Sequence, residues 1–291
     1  MVEKANKISK GISCIDETLN ASDSQHCLLF LQAGLDGFAF CVVDGRNNKY
    51  MGLETYTFQN TYNYQALCEN IKTIIAENKY LLHEFKKVQL ALVNNKSTLI
   101  PVPIFEPGHK QDYIKFNYEL NQDERIETDN LKNLDVINLY ALPLCLEETM
   151  KKLFVNIEFI HHSTSLLENL LLNYKNQNDK KVFVHIQLSH FEITVLEGKN
   201  LIFYNSFRHQ TSEDFLYYLL FVCEQLKLNP ETLQLILIGE VDRNSAIYNI
   251  LQKYVRHIKF AARNDNFEYS YKFNEIPKHF YYNLCGQYLC A

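Results

Sequence analysis

Two stretches of the chain share one rhythm of apolar and polar positions. Residues 29–58 read "LFLQAGLDGFAFCVVDGRNNKYMGLETYTF", and residues 182–207 read "VFVHIQLSHFEITVLEGKNLIFYNSF". In each, β-branched and aromatic residues fill segments of strand length, and turn residues separate the segments. Asp36-Gly37 is a dipeptide that supplies positive φ at tight hairpins, "DGRNN" at 44–48 marks a second turn, and Gly198 marks the matching turn of the later stretch. The pattern predicts three strands joined by hairpins, twice.

Each triplet leads to a helix and then a strand. Residues 63–81 place Ala66, Leu67, Ile71, Ile74 and Ile75 at helical spacing, and "KVQLALVN" (87–94) follows as a strand. After the second triplet, Thr211 or Ser212 can cap a helix whose first turn holds Glu213 and Asp214 and whose end precedes Pro230. "LQLILIG" is a near-continuous apolar run, as expected of a strand buried on both faces. "RNSAIYNILQKYV" and "HIKFA" continue as helix and strand.

Between the triplets, "TLIPVPIF" reads as extended around its prolines, and residues 111–130 read as a short helix and a loop. "DVINLYAL" (135–142) and "NIEFIH" read as strands. "CLEETMKKLF" (145–154) and "STSLLENLLLNY" (163–174) read as helices. Residues 1–25 are polar and irregular and read as an arm. Residues 26–176 then form a first domain and residues 177–291 a second, divided at the polar "KNQNDKK". "IPKHFYYNLCGQYLC" (276–290) reads as a closing helix, placed to dock back on the first domain.

Composition narrows the function classes. A net charge of −5 gives no protein-wide field for nucleic acid or an anionic membrane. The N-terminus lacks a signal-peptide core, and no apolar run reaches the roughly 18 residues of a membrane span, so no membrane insertion is expected. Eight cysteines without a C-x-x-C pair suit a reducing cytoplasm.

Setting Phe30 against Phe183 aligns Phe38 with Phe191, Val42 with Val195 and Gly45 with Gly198 without a gap. A β-β-β-α-β order occurring twice resembles the actin-like ATPase superfamily. Its fold is α/β, with two ribonuclease-H-like domains, each a mixed five-stranded sheet in β-β-β-α-β-α-β-α order. The similarity extends to its pilus-assembly and cell-division members. "LDGFAFCVVD", "LETYTF", "FVHIQLSHFEITVLEGKNLIFYNSF" and "EDFLYYLLFVCEQLKL" resemble more closely a family of uncharacterised Bacteroidetes proteins assigned this fold.

The resemblance implies where a nucleotide site would lie. In active members each domain's first strand ends in Asp-x-Gly, whose hairpin cradles phosphate while the aspartates hold hydrated magnesium and the attacking water. Here the first motif reads Gln32-Ala33-Gly34 with the turn Leu35-Asp36-Gly37. The second reads His185-Ile186-Gln187 with Leu188-Ser189-His190, and the Gly-Gly turn on which adenosine packs reads Gly239-Glu240. The cleft or nucleotide-site positions are therefore Gln32, Gly34, Asp36, Gly37, Gln187, Ser189, His190, Gly239 and Glu240. Both carboxylates that phosphoryl transfer needs are replaced.

The expectation is a degenerate, non-catalytic interaction or scaffolding module with an unknown protein partner and no cofactor or metal, ATP and magnesium being disfavoured. The alternatives are a divergent kinase or ATPase using Asp36, Glu240 or Asp242, and a small-ligand or peptide sensor using the interdomain cleft. His161-His162 reads as a surface or strand-end pair, and Cys285 and Cys290 as core. "FEYSYKF" and "HFYYNLCGQY" read as a strand edge and a docking helix rather than a base-stacking surface. "QAGLDGF" lacks the spacing of a P-loop.

Overall fold

A computed structural model of the chain describes residues 7–290. Its contacts divide the chain into two compact units. Of the described residues, the first comprises 7–168, 265–275 and 284–290, and the second 169–264 and 276–283. The division falls at Glu168/Asn169, inside a helix that the sequence reading assigned whole to the first domain.

In the first unit the strands are β1 (Lys7–Ile15), β2 (Cys27–Gly34), β3 (Gly37–Asp44) and β4 (Lys49–Gln59). Helix α1 (Tyr64–Glu77), β5 (Lys87–Leu92), β6 (Ser97–Pro101), α2 (Lys110–Lys115), β7 (Glu124–Leu131) and β8 (Val136–Pro143) follow. Then come α3 (Leu144–Leu153), β9 (Ile157–His161) and α4 (His162–Tyr174). The main sheet runs β1-β4-β3-β2-β5-β9, with β2, β5 and β9 parallel, while β6, β8 and β7 form a separate three-stranded sheet. Asn63 caps α1 by accepting from the Ala66 N–H. Leu67, Ile71 and Ile74 then pack with Leu29, Leu31, Phe38, Phe40 and Val42 in the first core.

Two sequence readings are corrected here. The predicted arm contains β1, which pairs antiparallel with β4; residues 1–6 of that arm lie outside the described residues. Gly11 sits in the bulge between Lys10 and Ser13, where a Cβ would stand 2.6 Å from Thr55 Oγ1. The predicted loop around 124–131 is strand β7, whose register with β8 extends from Glu124↔Pro143 to Leu131↔Val136.

In the second unit, β10 (Lys180–Ile186), β11 (His190–Glu197) and β12 (Asn200–Arg208) precede α5 (Ser212–Gln225). Strand β13 (Gln234–Gly239), α6 (Ala246–Leu251) and β14 (His257–Phe260) complete the order. The sheet runs β12-β11-β10-β13-β14, the same path as β4-β3-β2-β5-β9. Thr211 and Asp214 form a reciprocal capping box on α5. Val184, Ile186, Phe191, Ile193 and Val195 meet Phe215, Leu219 and Val222 in the second core. The aligned positions keep their faces: Phe38 and Phe191, and Val42 and Val195, lie in the two cores. Phe30 and Phe183 meet other rings instead, Tyr288 and Tyr174.

Strand β15 (Glu268–Tyr269) adds to β4 in the first unit. The predicted closing helix over 276–290 is shorter: α7 spans Tyr282–Gly286 and a 3-10 turn covers Gln287–Cys290. Tyr281 has φ of 52°, and this left-handed residue separates the segment before it from α7. Among the described residues, no helix is long and apolar enough to cross a membrane.

Candidate functional site

The predicted positions fall at the same end of each central parallel strand, and each unit closes that end with its own groups. In the first unit, β2 and β3 pair through Gly34↔Gly37 around the two-residue turn Leu35-Asp36. Neither Gly37 nor Asp36 takes the positive φ expected of the dipeptide. Gly37 is needed because a Cβ there would lie 2.6 Å from the Tyr56 carbonyl oxygen. The Asp36 carbonyl accepts from the Phe58 N–H at 2.9 Å, and Asp36 Oδ1 lies 3.1 Å from where a Cβ on Gly34 would stand. Asp36 is a turn residue built into the hairpin. Gln32 is half-buried on the β2 face opposite Leu31 and Ala33.

Beside these strands lies a buried polar network that the sequence reading did not single out. Asp129 Oδ2 accepts from the His161 backbone N–H at 2.7 Å and from Thr164 Oγ1 at 2.6 Å. His161 Nδ1 lies 2.6 Å from Ser163 Oγ, and Asn138 Nδ2 donates to both Ser163 and Thr164 at 2.9 Å. His161 ends β9 and His162 opens α4, the strand-end position expected of the pair, but both are buried rather than on the surface. Burial pushes the Asp129 carboxyl up to about 7 against the hydrogen bonds from His161 and Thr164. Ser163 and His161 have the contact of a hydroxyl and its base, but both are fully buried, so no substrate can reach the oxygen.

In the second unit the β10–β11 turn is closed by the Gln187 N–H donating to the His190 carbonyl at 3.0 Å. Its side chains turn inward on one another. Gln187 Nε2 lies 3.2 Å from His190 Nε2, and Ser189 Oγ lies 3.3 Å from His190 Nδ1. Fully buried Glu192 accepts from His185 Nδ1 at 2.7 Å, from Gln187 Nε2 at 3.3 Å and from the Tyr204 hydroxyl. Its strand period is the missed signal: His185 on β10 pairs with Glu192 on β11, and Gln187, just past β10, meets His190 at the start of β11, so all four face one side.

Gly239 ends β13 beside Ile186, to which it is paired. Its φ is +95°, and a Cβ there would lie 2.1 Å from the Ile186 carbonyl oxygen. The turn is filled by the unit's own later segment. The Gly239 N–H donates to the His279 carbonyl at 3.0 Å, and His279 Nε2 contacts the Val241 carbonyl at 2.6 Å. The His279 ring stacks on Phe260 at 4.2 Å, and Phe260 stacks on Tyr248 at 5.5 Å. Burial pushes the His279 imidazole down, favouring its neutral form. Glu240, next in sequence, is exposed. Within the second unit, then, Gln187, Ser189 and His190 share one turn, with Gly239 at the neighbouring strand end.

The sequence profile of the family described as "Protein of unknown function (DUF3822)" matches residues 16–258. No curated protein matches the chain in sequence. Among solved structures, a Bacteroides thetaiotaomicron protein with an actin-like ATPase fold and unknown function is 23% identical. That match has a TM-score of 0.76 and covers 84% of this chain and 94% of that one. A PilM–PilN type IV pilus biogenesis complex is 13% identical, with a TM-score of 0.63, over 90% of this chain and 98% of that one. The chain has the actin-like ATPase fold, with two ribonuclease-H-like domains.

Proposed function

We propose that this chain, which belongs to the DUF3822 family, is a non-catalytic protein of the actin-like fold that serves as an interaction or scaffolding module for a protein partner. The observation that carries the reading is the turn at Gly239. Where the resemblance would seat adenosine, the backbone donor is already bonded to the His279 carbonyl, and a neutral imidazole occupies the stacking position on Phe260. A nucleotide would have to displace three interactions of a buried segment before making its own.

Electrostatics points the same way. The first strands present Gln32 and His185 where a cation needs carboxylates, and the nearby Glu192 already accepts from His185, Gln187 and Tyr204. The shared strand order and the matched faces of the aligned phenylalanines support an origin by internal duplication. The pilus neighbour was solved as a complex of two proteins, which supports a protein rather than a nucleotide as the partner here. The eight cysteines, all without disulfide bonds, suit a cytoplasmic location.

Isothermal titration of the full chain with magnesium and ATP tests the reading. No binding heat and no phosphate release are expected. Micromolar binding, or steady phosphate release lost on Asp36→Asn, would overturn it.

A further inference from the structure

Three side chains of one hairpin converge on a point in the second unit. Gln187 Nε2 lies 3.2 Å from His190 Nε2 and 3.3 Å from Glu192 Oε2, and the ligand atoms of His190 and Glu192 lie within 4.8 Å of each other. An amide nitrogen only donates, so both neighbours turn lone pairs toward it. His190 Nε2 is then unprotonated, and Nδ1 carries the proton and donates to Ser189 Oγ at 3.3 Å.

Both acceptors are also held from behind. Glu192 receives His185 Nδ1 on Oε2 at 2.7 Å and the Tyr204 hydroxyl on Oε1, which fixes the plane of the carboxylate. An imidazole whose far N–H is bonded, beside a carboxylate that is itself hydrogen-bonded, is how proteins present these groups to a metal ion. Glu192 and His190 are buried, whereas Gln187 is half-buried and Leu188 and Ser189 at the tip of the turn are exposed, which gives an ion a way in.

We propose that this turn binds a late first-row divalent metal ion, with zinc the ion its donors suit. His190 Nε2 and Glu192 Oε2 ligate it directly, and Gln187 rotates its amide to offer Oε1 where Nε2 now stands. Donors at about 2.1 Å from a tetrahedral ion stand about 3.4 Å apart. The two Gln187 edges already measure 3.2 and 3.3 Å, and water takes the fourth position.

The donor set separates this ion from magnesium. Magnesium takes oxygen ligands and keeps its water, so it gains little from an imidazole, whereas zinc bonds nitrogen and oxygen alike. His185, which stands where the resemblance implies a carboxylate, remains a donor to Glu192 and takes no place around the ion. The site therefore goes beyond the scaffold reading and does not depend on it.

Calorimetric titration of the metal-stripped full chain with zinc chloride tests this. One ion per chain is expected, with a Kd in the micromolar range or below, weakened about tenfold or more by His190→Ala and separately by Glu192→Gln. Gln187→Glu, at a half-buried position, replaces the amide with a charged ligand and should tighten binding about tenfold, a gain that misfolding cannot imitate. Cobalt(II) in place of zinc should show the weak visible bands of nitrogen and oxygen ligands, without the thiolate charge-transfer absorption that any of the eight cysteines would add. No zinc heat, binding indifferent to His190→Ala and to Gln187→Glu, or a thiolate band from the bound cobalt would overturn the proposal.

Discussion

Asp129 and Glu54 are both buried carboxyls, yet their surroundings move them in opposite directions. At Glu54 burial pushes the group up, but donors at Lys10, Ser13 and Tyr56 outweigh it and hold the carboxyl below its usual range. At Asp129 burial wins, and the group titrates near 7. An aspartate in the unfolded chain titrates near ~3.9, so the folded state binds the proton of Asp129 more tightly. That contribution to stability is fully present below pH ~4 and is lost as pH rises through about 7. Asp129→Asn keeps an oxygen for His161 and Thr164 but carries no charge. Histidines held neutral by burial, such as His279, act alike in both proteins, so the gap in stability between variant and wild type should widen in the variant's favour from about pH 5 to 8 by on the order of 2–3 kcal/mol, read from urea titrations. A gap that stays constant or narrows over the same interval would contradict the buried-acid account.

At the scale of elements, the two positive-φ glycines separate strain from crowding. Gly198 has φ of +59° with nothing nearer than 3.9 Å to an added Cβ, whereas Gly239 combines φ of +95° with a carbonyl oxygen at 2.1 Å. Gly198→Ala should therefore cost about 1–2 kcal/mol, the left-handed penalty alone. Gly239→Ala should cost about 3 kcal/mol or more, because β13 must also move from Ile186. Thermal melts of the two variants compare them directly, and equal losses would rule out the close approach. The triplets were legible in the sequence because period-two burial and turn residues agree along β2–β4 and β10–β12. β1 was not, since the bulge at Gly11 breaks its alternation. β7 was not either, since "ERIETDNL" has few apolar positions and buries only Asp129 and Leu131. The closing helix was over-read because its aromatic spacing is helical, while the turn at Tyr281 leaves no trace in that pattern. Gln32 and His185, where the resemblance implies carboxylates, were visible as residue types. The networks around Glu192 and Asp129 were hidden because their members come from strands distant in sequence or on facing registers.

For the whole molecule, the consequence is that the first unit is completed only by the last residues of the chain. Tyr50, on β4, stacks with Tyr269 at 4.7 Å and donates its hydroxyl to the Cys285 carbonyl at 2.5 Å. Gln287 Nε2 donates to the Leu31 carbonyl at 3.0 Å, and Tyr288 meets Phe30 edge-on at 5.9 Å. Contacts separated by more than two hundred residues make this unit slow to close, whereas the second unit's sheet comes from one continuous stretch. Removing residues 284–291 would leave the Tyr50 hydroxyl and the Leu31 carbonyl without these partners and uncover Phe30, a combined loss of several kcal/mol. Tyr50→Phe, which drops only the hydroxyl, should cost about 1 kcal/mol. Limited proteolysis reads the difference. In the truncated chain, cuts should appear first in residues 27–161 while residues 180–260 stay protected, and Tyr50→Phe should resemble the wild type. Equal cutting of both regions in the truncated chain would mean that the terminal segment supports the two units alike, against the contacts it makes with β2 and β4.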